Sequence, residues 1–117
     1  MARTGSAGGL ATAQSAKNIR GTYGRTMEFE WDSKKAAANE RKHKGVSFHE
    51  AATVFGDPLT ISFPDPDNST GEFRLLAFGV SRSNRLLVVS YTERQGTIRI
   101  ISAREATRPE RRIYEDG

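Results

Sequence analysis

The stretch Phe73–Ala103, FRLLAFGVSRSNRLLVVSYTERQGTIRIISA, decides the fold of this chain. It holds three apolar segments of strand length, separated by short polar segments whose Gly, Ser and Asn residues favour turns. The middle segment, Leu86–Tyr91, is almost continuously apolar, which is typical of a strand in the centre of a sheet. The spacing predicts strands over Phe73–Val80, Leu86–Tyr91 and Thr97–Ala103, with turns at Ser81–Asn84 and Gln95–Gly96.

One strand and two helices are predicted upstream. Met27–Trp31 alternates apolar and charged residues, which is the pattern of a short half-buried strand. Asp32 or Ser33 can cap a helix over the following KKAAANERKHK, and Gly45 supplies a left-handed end to that helix. Ser47–Glu50 then forms a capping box, after which apolar residues recur at helical spacing until a Gly-Asp-Pro sequence ends the element.

The remaining segments complete an α+β fold. Leu59–Phe63 is predicted as a strand and Pro64–Gly71 as an exposed loop. Thr107–Glu110 forms another capping box with a proline in the first turn, and it opens a short C-terminal helix. We therefore expect one domain over residues 27–117, with an antiparallel sheet of four to five strands and helices packed on one face.

Length and composition exclude several classes of protein. A chain of 117 residues is expected to form a single small domain, and it contains no apolar run long enough to cross a membrane. The absence of cysteine excludes disulfides, thiolate metal sites and a cysteine nucleophile. We find no glycine-rich phosphate loop, no zinc-ligand spacing and no paired carboxylates of the glycosidase type. We interpret the aspartates of the PDPD segment as solvated turn residues rather than cation ligands.

Charge is distributed unevenly along the chain. Residues 1–26 contain four basic and no acidic residues and show no helical or strand period. They are interpreted as a leader outside the fold, which is a sequence upstream of a native start at Met27, a flexible basic tail or a targeting peptide. Residues 27–72 have a net charge of −4, whereas residues 73–117 have a net charge of +4 and nine arginines. Because the arginine fork suits phosphates and carboxylates, the C-terminal part is predicted to bind anions.

Basic and proton-transferring side chains occur at four places in the predicted fold. Each place also has a structural explanation: cations complement the end of a helix, neighbouring strands carry ion pairs, and charged helix faces are solvated. The groups are Lys42 with His43, Glu93 with Arg94, Arg99 with Arg104, and Arg111 and Arg112 with Tyr114.

The functional hypothesis is that these side chains hold a phosphodiester. RNA can be cleaved without a metal when a base takes the 2′-hydroxyl proton, cations stabilise the phosphorane and an acid protonates the leaving 5′-oxygen. Histidine exchanges protons near neutral pH, a carboxylate can act as base, and arginine is a permanent cation. From composition alone this hypothesis is one among several.

Five ordered motifs carry a resemblance to a known family. The motifs resemble the BrnT family of bacterial toxins, from Phe29 to about Glu115. The resemblance implies a RelE-like ribonuclease fold, RNA cleavage that arrests translation with no metal or cofactor, and a cytoplasmic location. It also implies neutralisation by a ribbon-helix-helix antitoxin, BrnA, which carries the DNA-binding function. The motifs are F-E-W-D (Phe29–Asp32), N-E-R-K-H-K-G-V-S-F-H-E-A (Asn39–Ala51), V-F-G-D-P (Val54–Pro58), T-E-R (Thr92–Arg94) and R-I-I-S-A-R-E-A-T (Arg99–Thr107).

The resemblance also implies site residues. Lys44 is an extra residue between the K-H and G-V of the family pattern. The alternative to a ribonuclease toxin is a non-catalytic protein module that binds an antitoxin or RNA. From the resemblance, the predicted catalytic residues are Lys42, His43, Glu93, Arg94 and Arg104, and Tyr114 is a further site candidate. With Arg99 and Arg112, which are chosen from the distribution of basic side chains, Tyr114 is predicted to bind substrate.

Overall fold

A computed structural model describes residues 19–20, 26–66 and 73–117 of the chain. The other residues of the 1–26 leader, residues 67–71 of the predicted loop and residue 72 lie outside the described residues. In the described parts of the chain, no helix is long and apolar enough to span a membrane.

Strands and helices follow the predicted order, with small shifts at their ends. The leader contributes two of its residues as a first strand, and the predicted strand near Met27 begins one residue earlier, at Thr26. In chain order the elements are β1 (Ile19–Arg20), β2 (Thr26–Glu30), α1 (Ser33–Lys42), α2 (Phe48–Thr53), a short 3-10 helix (Val54–Gly56), β3 (Ile61–Pro64), β4 (Leu75–Val80), β5 (Leu86–Arg94), β6 (Thr97–Glu105) and α3 (Arg108–Asp116).

The strands form one mixed sheet in the order β1-β2-β6-β5-β4-β3. The antiparallel meander of β3 to β6 is confirmed, and β5 lies inside the sheet as predicted. The expectation of a purely antiparallel sheet is wrong, because β2 pairs with β6 in parallel, with Glu28 opposite Thr97 and Glu30 opposite Arg99. Apolar alternation predicts a strand but not the direction of its partner. The two helices after β2 provide the long connection that parallel strands need.

The main core lies on the face of the sheet that α1 and α2 cover, which we call the first face. Phe29 of β2, Phe48 of α2 and Leu87 of β5 are almost completely buried there. Aromatic rings pack edge to face in this core, including Trp31 against Phe48 at a centroid distance of 5.9 Å. The sheet is therefore anchored to α2 by large apolar side chains.

The C-terminal helix lies on the opposite, second face, so the expectation that all helices share one face is wrong. Ala103 packs in the first-face core, and Arg104, the next residue of β6, therefore points to the other side. There its guanidinium pairs with Glu110 of α3. Phe78 and Val88, which share this face with Arg104 through the strand register, are also buried.

A cap and a turn determine where α1 begins and ends. α1 begins at Asp32, whose carboxylate accepts the Lys34 backbone N–H at 2.8 Å, and it ends with His43 as its C-cap. Lys44 and Gly45 then both have positive φ, 54° and 75°. The extra residue, Lys44, thus lies after the helix. The left-handed conformation that it shares with Gly45 is one that glycine adopts without strain.

The strand predicted over Leu59–Phe63 begins two residues later than expected. Asp57 forms a turn with Leu59, whose backbone N–H donates to the Asp57 carboxylate at 2.9 Å. Thr60 N–H also donates to the Asp57 carbonyl oxygen at 3.1 Å. Because these donors are used within the turn, pairing with β4 starts only at Ile61.

Candidate active site

Three of the five predicted catalytic residues meet at one cleft of about 330 Å³. The cleft lies where the end of α1, the end of β6 and the start of α3 come together. The sequence separation between α1 and β6 is large, so only the tertiary fold brings these side chains together. The lining residues are Lys42, His43, Lys44, Arg104, Glu105, Ala106 and Thr107.

Asn39 fixes the position of α1 against β6. Its side chain is buried, and Nδ2 donates to the carbonyl oxygens of Val46 at 3.0 Å and Ala103 at 2.8 Å. Its Oδ1 accepts the Ala103 backbone N–H at 3.1 Å. One side chain thus holds the last turn of α1, which carries Lys42, beside the strand residue that precedes Arg104. Asn39 lies in the N-E-R-K-H-K motif but was not predicted as a site residue.

A second network holds the loop after α1. Glu50 binds the Arg85 guanidinium through both carboxylate oxygens, and Arg85 Nη1 also donates to the Lys44 carbonyl oxygen at 3.2 Å. The hydrogen bond from Arg85 is the main cause that lowers the pKa of Glu50. Arg85 Nη1 also lies 3.3 Å from Oε2 of Glu105, which lines the cleft.

This network was not predicted from the sequence. The Ser47–Glu50 capping box led us to expect that the Glu50 side chain would bind its own helix start. Only half of that box forms, since Ser47 Oγ accepts the Glu50 backbone N–H at 2.9 Å while the Glu50 carboxylate binds Arg85 instead.

Arg104 makes a bidentate ion pair with Glu110 of α3. Its Nη1 and Nη2 atoms lie 2.7 and 2.8 Å from the two carboxylate oxygens. The hydrogen bonds from Arg104 lower the pKa of Glu110 to about 2, and Glu110 in turn raises the pKa of Arg104. Arg104 is therefore a permanent cation that is held rigidly at the mouth of the cleft.

Lys42 and His43 occupy the C-terminal end of α1. Lys42 is exposed and His43 is half-buried, and neither has an ion-pair partner within residues 26–66 and 73–117. The negative end of the helix dipole stabilises cations at these positions. The charges of Glu105 and Glu110 are matched by other cations, so Lys42 and His43 are available to an incoming anion.

Glu93, Arg94 and Arg99 lie at the other end of the sheet. Arg94 pairs with Thr97 across the Gln95–Gly96 turn, whereas Arg104 pairs with Val88. Arg94 is six positions beyond Val88 on β5, which corresponds to about 20 Å along the strand. The structure thus divides the predicted catalytic residues between two places.

The predicted substrate-binding residues of α3 are not at the cleft. Arg112 is exposed on the helix, and Tyr114 donates its hydroxyl hydrogen to Asp57 Oδ2 at 2.7 Å. Burial and this hydrogen bond raise the pKa of Tyr114 to about 12. In the described structure Tyr114 ties α3 to the turn before β3.

The cleft can bind an anion and transfer a proton. It brings three cationic side chains, those of Lys42, Lys44 and Arg104, and one imidazole to a surface that a polyanion can reach, which suits a phosphodiester. In the described ranges there is no cluster of three or more side chains placed to hold a metal ion.

Comparisons with known proteins identify the family. No curated protein matches the chain. The 1.1 Å crystal structure of the Brucella abortus ribonuclease toxin BrnT is similar to this structure, with a TM-score of 0.54 and 24% sequence identity. The match covers 71% of this chain and 100% of that chain, and it shows a common fold. A family model described as the ribonuclease toxin BrnT of type II toxin-antitoxin systems matches residues 31–110. Because that match covers more than half of the sequence, this chain belongs to the BrnT family of type II ribonuclease toxins.

Proposed function

We propose that this chain is a metal-independent endoribonuclease whose active site is the cleft between α1, β6 and α3. The observation that carries the proposal is the convergence of Lys42, His43 and Arg104 on that cleft. Cleavage of this kind needs a proton-transferring group and fixed positive charge beside one phosphate. Membership in a family of ribonuclease toxins supports the same reaction class.

The proposed step is attack by the 2′-hydroxyl of the RNA on the adjacent phosphorus. His43 takes the proton from the 2′-oxygen as the bond to phosphorus forms. Arg104 and Lys42 stabilise the negative charge of the phosphorane, and the bond from phosphorus to the 5′-oxygen breaks. A protonated group, His43 itself or water, returns a proton to the 5′-oxygen. The products are a 2′,3′-cyclic phosphate and a 5′-hydroxyl end.

We further propose a cytoplasmic protein that arrests translation and is neutralised by a ribbon-helix-helix antitoxin of the BrnA type. A type II toxin has an antitoxin partner, and four large apolar side chains of the described residues are exposed to such a partner. They are Leu59, Phe63, Phe73 and Ile113. Expression of this chain in cells should therefore arrest growth, and co-expression of the antitoxin should relieve that arrest.

The decisive experiment incubates the full-length chain with total RNA, and with translating ribosomes, in EDTA. The wild-type protein should cleave RNA in at least one of these two assays, with total RNA or with translating ribosomes. The His43→Gln variant should cleave about 100-fold more slowly, since a positioned acid–base group contributes 10²–10⁴-fold. Arg104→Ala should lose activity similarly, because a charge-stabilising group contributes about 10²-fold.

His49→Gln is the matched control for the histidine variant. His49 is exposed on α2 and packs on Trp31 at a ring-centroid distance of 4.8 Å, outside the cleft. The control should cleave like wild type, and circular dichroism should show that each variant is folded. RNA left intact by wild type under both conditions would instead favour a non-catalytic protein that only binds its antitoxin. Equal activity of His43→Gln and wild type would contradict the assigned site.

A further inference from the structure

A row of polar side chains crosses the second face of the sheet, about 15 Å from Arg104 along β6. Strand register defines the row. Tyr91 of β5 faces the first-face core and pairs with Leu75, so the adjacent residues Thr92 and Arg74 point to the second face and lie side by side. Thr92 pairs with Arg99 on its other side.

The middle of this row contains polar atoms that lack partners. Thr92 is 2% exposed, and its Oγ1 has no hydrogen-bond partner among the residues that the structure describes. Within residues 26–66 and 73–117, Nε of Arg74 is also buried without a partner. Buried polar atoms are almost always satisfied, and each unsatisfied one destabilises the fold. Two such atoms on neighbouring strands therefore point to a ligand that would accept hydrogen bonds from both.

The ends of the row carry carboxylates, and the arginines lie between them. Glu30 Oε2 lies 3.3 Å from Arg99 Nη1, which leaves other N–H donors of the Arg99 fork for a ligand. Asp65 is opposite Arg74 at the edge, where the Asp65 N–H donates to the Arg74 carbonyl oxygen at 2.9 Å. Arg94, two residues beyond Thr92 on β5, has its Cβ on the same face.

We propose that Arg74, Thr92 and Arg99 bind a phosphate of the RNA strand, at a subsite distant from the cleaved bond. Two guanidinium forks on either side of a hydroxyl match the several acceptor oxygens of one phosphate. Arg74 is half-buried on a flexible side chain, so it can move to admit the phosphate to Thr92. The inference rests on the proposed ribonuclease function.

Two serines lie on the second face between the row and the cleft. Ser90 and Ser102 pair with each other on the adjoining strands, between Thr92 and Arg104. Both serines face the second face, where Ser90 is 7% exposed and pairs with Leu76 on its other side. The predicted site residues Arg94 and Arg99, which lie far from the cleft, are then at the distal end of the same substrate.

The test measures binding of a single-stranded RNA oligonucleotide whose 2′-oxygens are methylated, so that binding occurs without cleavage. Arg74→Ala should weaken binding about tenfold, as expected for a lost charge-assisted hydrogen bond. The slope of log affinity against log salt should fall by about 0.7, the value for one phosphate contact on a single strand. Arg82→Ala, at an exposed arginine in the turn after β4, is the matched control and should leave both quantities unchanged.

Thr92→Val separates binding from folding. Replacement of an unsatisfied buried hydroxyl by a methyl group should keep or raise the melting temperature. If the hydroxyl binds phosphate, the same variant should bind the methylated RNA about three- to tenfold more weakly. A merely structural threonine would change only the melting temperature.

The outcomes distinguish the subsite from the ribonuclease function. Wild-type affinity in both Arg74→Ala and Thr92→Val, in a protein that still cleaves unmodified RNA, would overturn the subsite and leave the function standing. Failure of wild type both to bind methylated RNA and to cleave unmodified RNA would overturn both. Weaker binding by both variants, with Arg82→Ala unchanged, would establish the subsite.

Discussion

At the scale of single residues, Asn39 shows how one amide can hold the elements of a candidate site together. In the described part of the chain, β2 pairs with β6 over residues 97–99, and no strand lies beside the outer edge of β6 at Ala103. The Asn39 amide supplies both an acceptor and a donor to Ala103, in the same way as a neighbouring strand would. Its third bond, to Val46, connects the loop that follows α1.

We predict that Asn39→Ala destabilises the protein by about 3 kcal/mol, because it leaves buried backbone groups of Ala103 and Val46 without partners. Cleavage should also fall under conditions where the variant is still folded, since Lys42 and Arg104 lose their common anchor. Chemical denaturation and RNA cleavage measure the two effects. Glu40→Ala, at the exposed adjacent position, serves as control, and equal stability of the Asn39 and Glu40 variants would refute the anchor.

At the scale of secondary-structure elements, α3 is held mainly by polar contacts. It contains no buried residue, and its start is fixed by the Thr107 and Glu110 capping box. Glu110 also pairs with Arg104, and Tyr114 hydrogen-bonds Asp57. The attachment of α3 to the sheet therefore depends on the ionisation of a few side chains.

We predict that Glu110→Gln destabilises the protein at pH 7 by an amount that shrinks in acid. The folded-state pKa of Glu110 is about 2, below the ordinary value of 4.5. A lowered pKa means that the carboxylate contributes stability above pH 4.5, and that this contribution is lost as pH falls towards 2. Because the pair is partly exposed, the effect at pH 7 should be on the order of 1 kcal/mol.

Thermal unfolding of wild type and Glu110→Gln at pH 7 and near pH 2.5 measures this dependence. Glu115→Gln, at an exposed carboxylate of the same helix, should show a much smaller difference from wild type at both pH values. A Glu110→Gln effect that is as large in acid as at neutral pH would show that the ion pair does not contribute to stability.

At the scale of the whole molecule, the first-face core connects elements from both ends of the described chain. Trp31 is the single tryptophan of the sequence, and it is 3% exposed in this core. Phe29, two residues earlier, is buried beside β6 through the parallel pairing of β2. The fluorescence of Trp31 therefore reports on the packing of one core that includes residues of β2, α2, β5 and β6.

We predict that unfolding monitored by Trp31 fluorescence coincides with unfolding monitored by far-ultraviolet circular dichroism. One continuous core that joins α2 to the sheet should lose its packing and its secondary structure in a single step. Denaturant titration with both probes on the same samples measures this. Separated midpoints would mean that the core and the sheet unfold independently.

Local signals in the sequence determined most of the elements. The meander, the helix start at Asp32, the turn at Gln95–Gly96 and the capping box at Thr107 were all predicted, because each depends on neighbouring residues or on apolar period. The family motifs also indicated Lys42, His43 and Arg104, which the fold brings to one cleft.

Only the tertiary structure decided how those elements meet. Strand patterns do not encode the direction of a partner, so the parallel pairing of β2 with β6 and the position of α3 on the second face followed from long-range contacts. The hydrogen bonds between Asn39 and Ala103 also depend on the tertiary structure, because these residues are 64 positions apart in the sequence. The sequence by itself thus determined most of the elements and the family, because these depend on local signals and ordered motifs. The separation of Arg94 from Arg104 was decided by the tertiary fold, because distance in space depends on which strands pair.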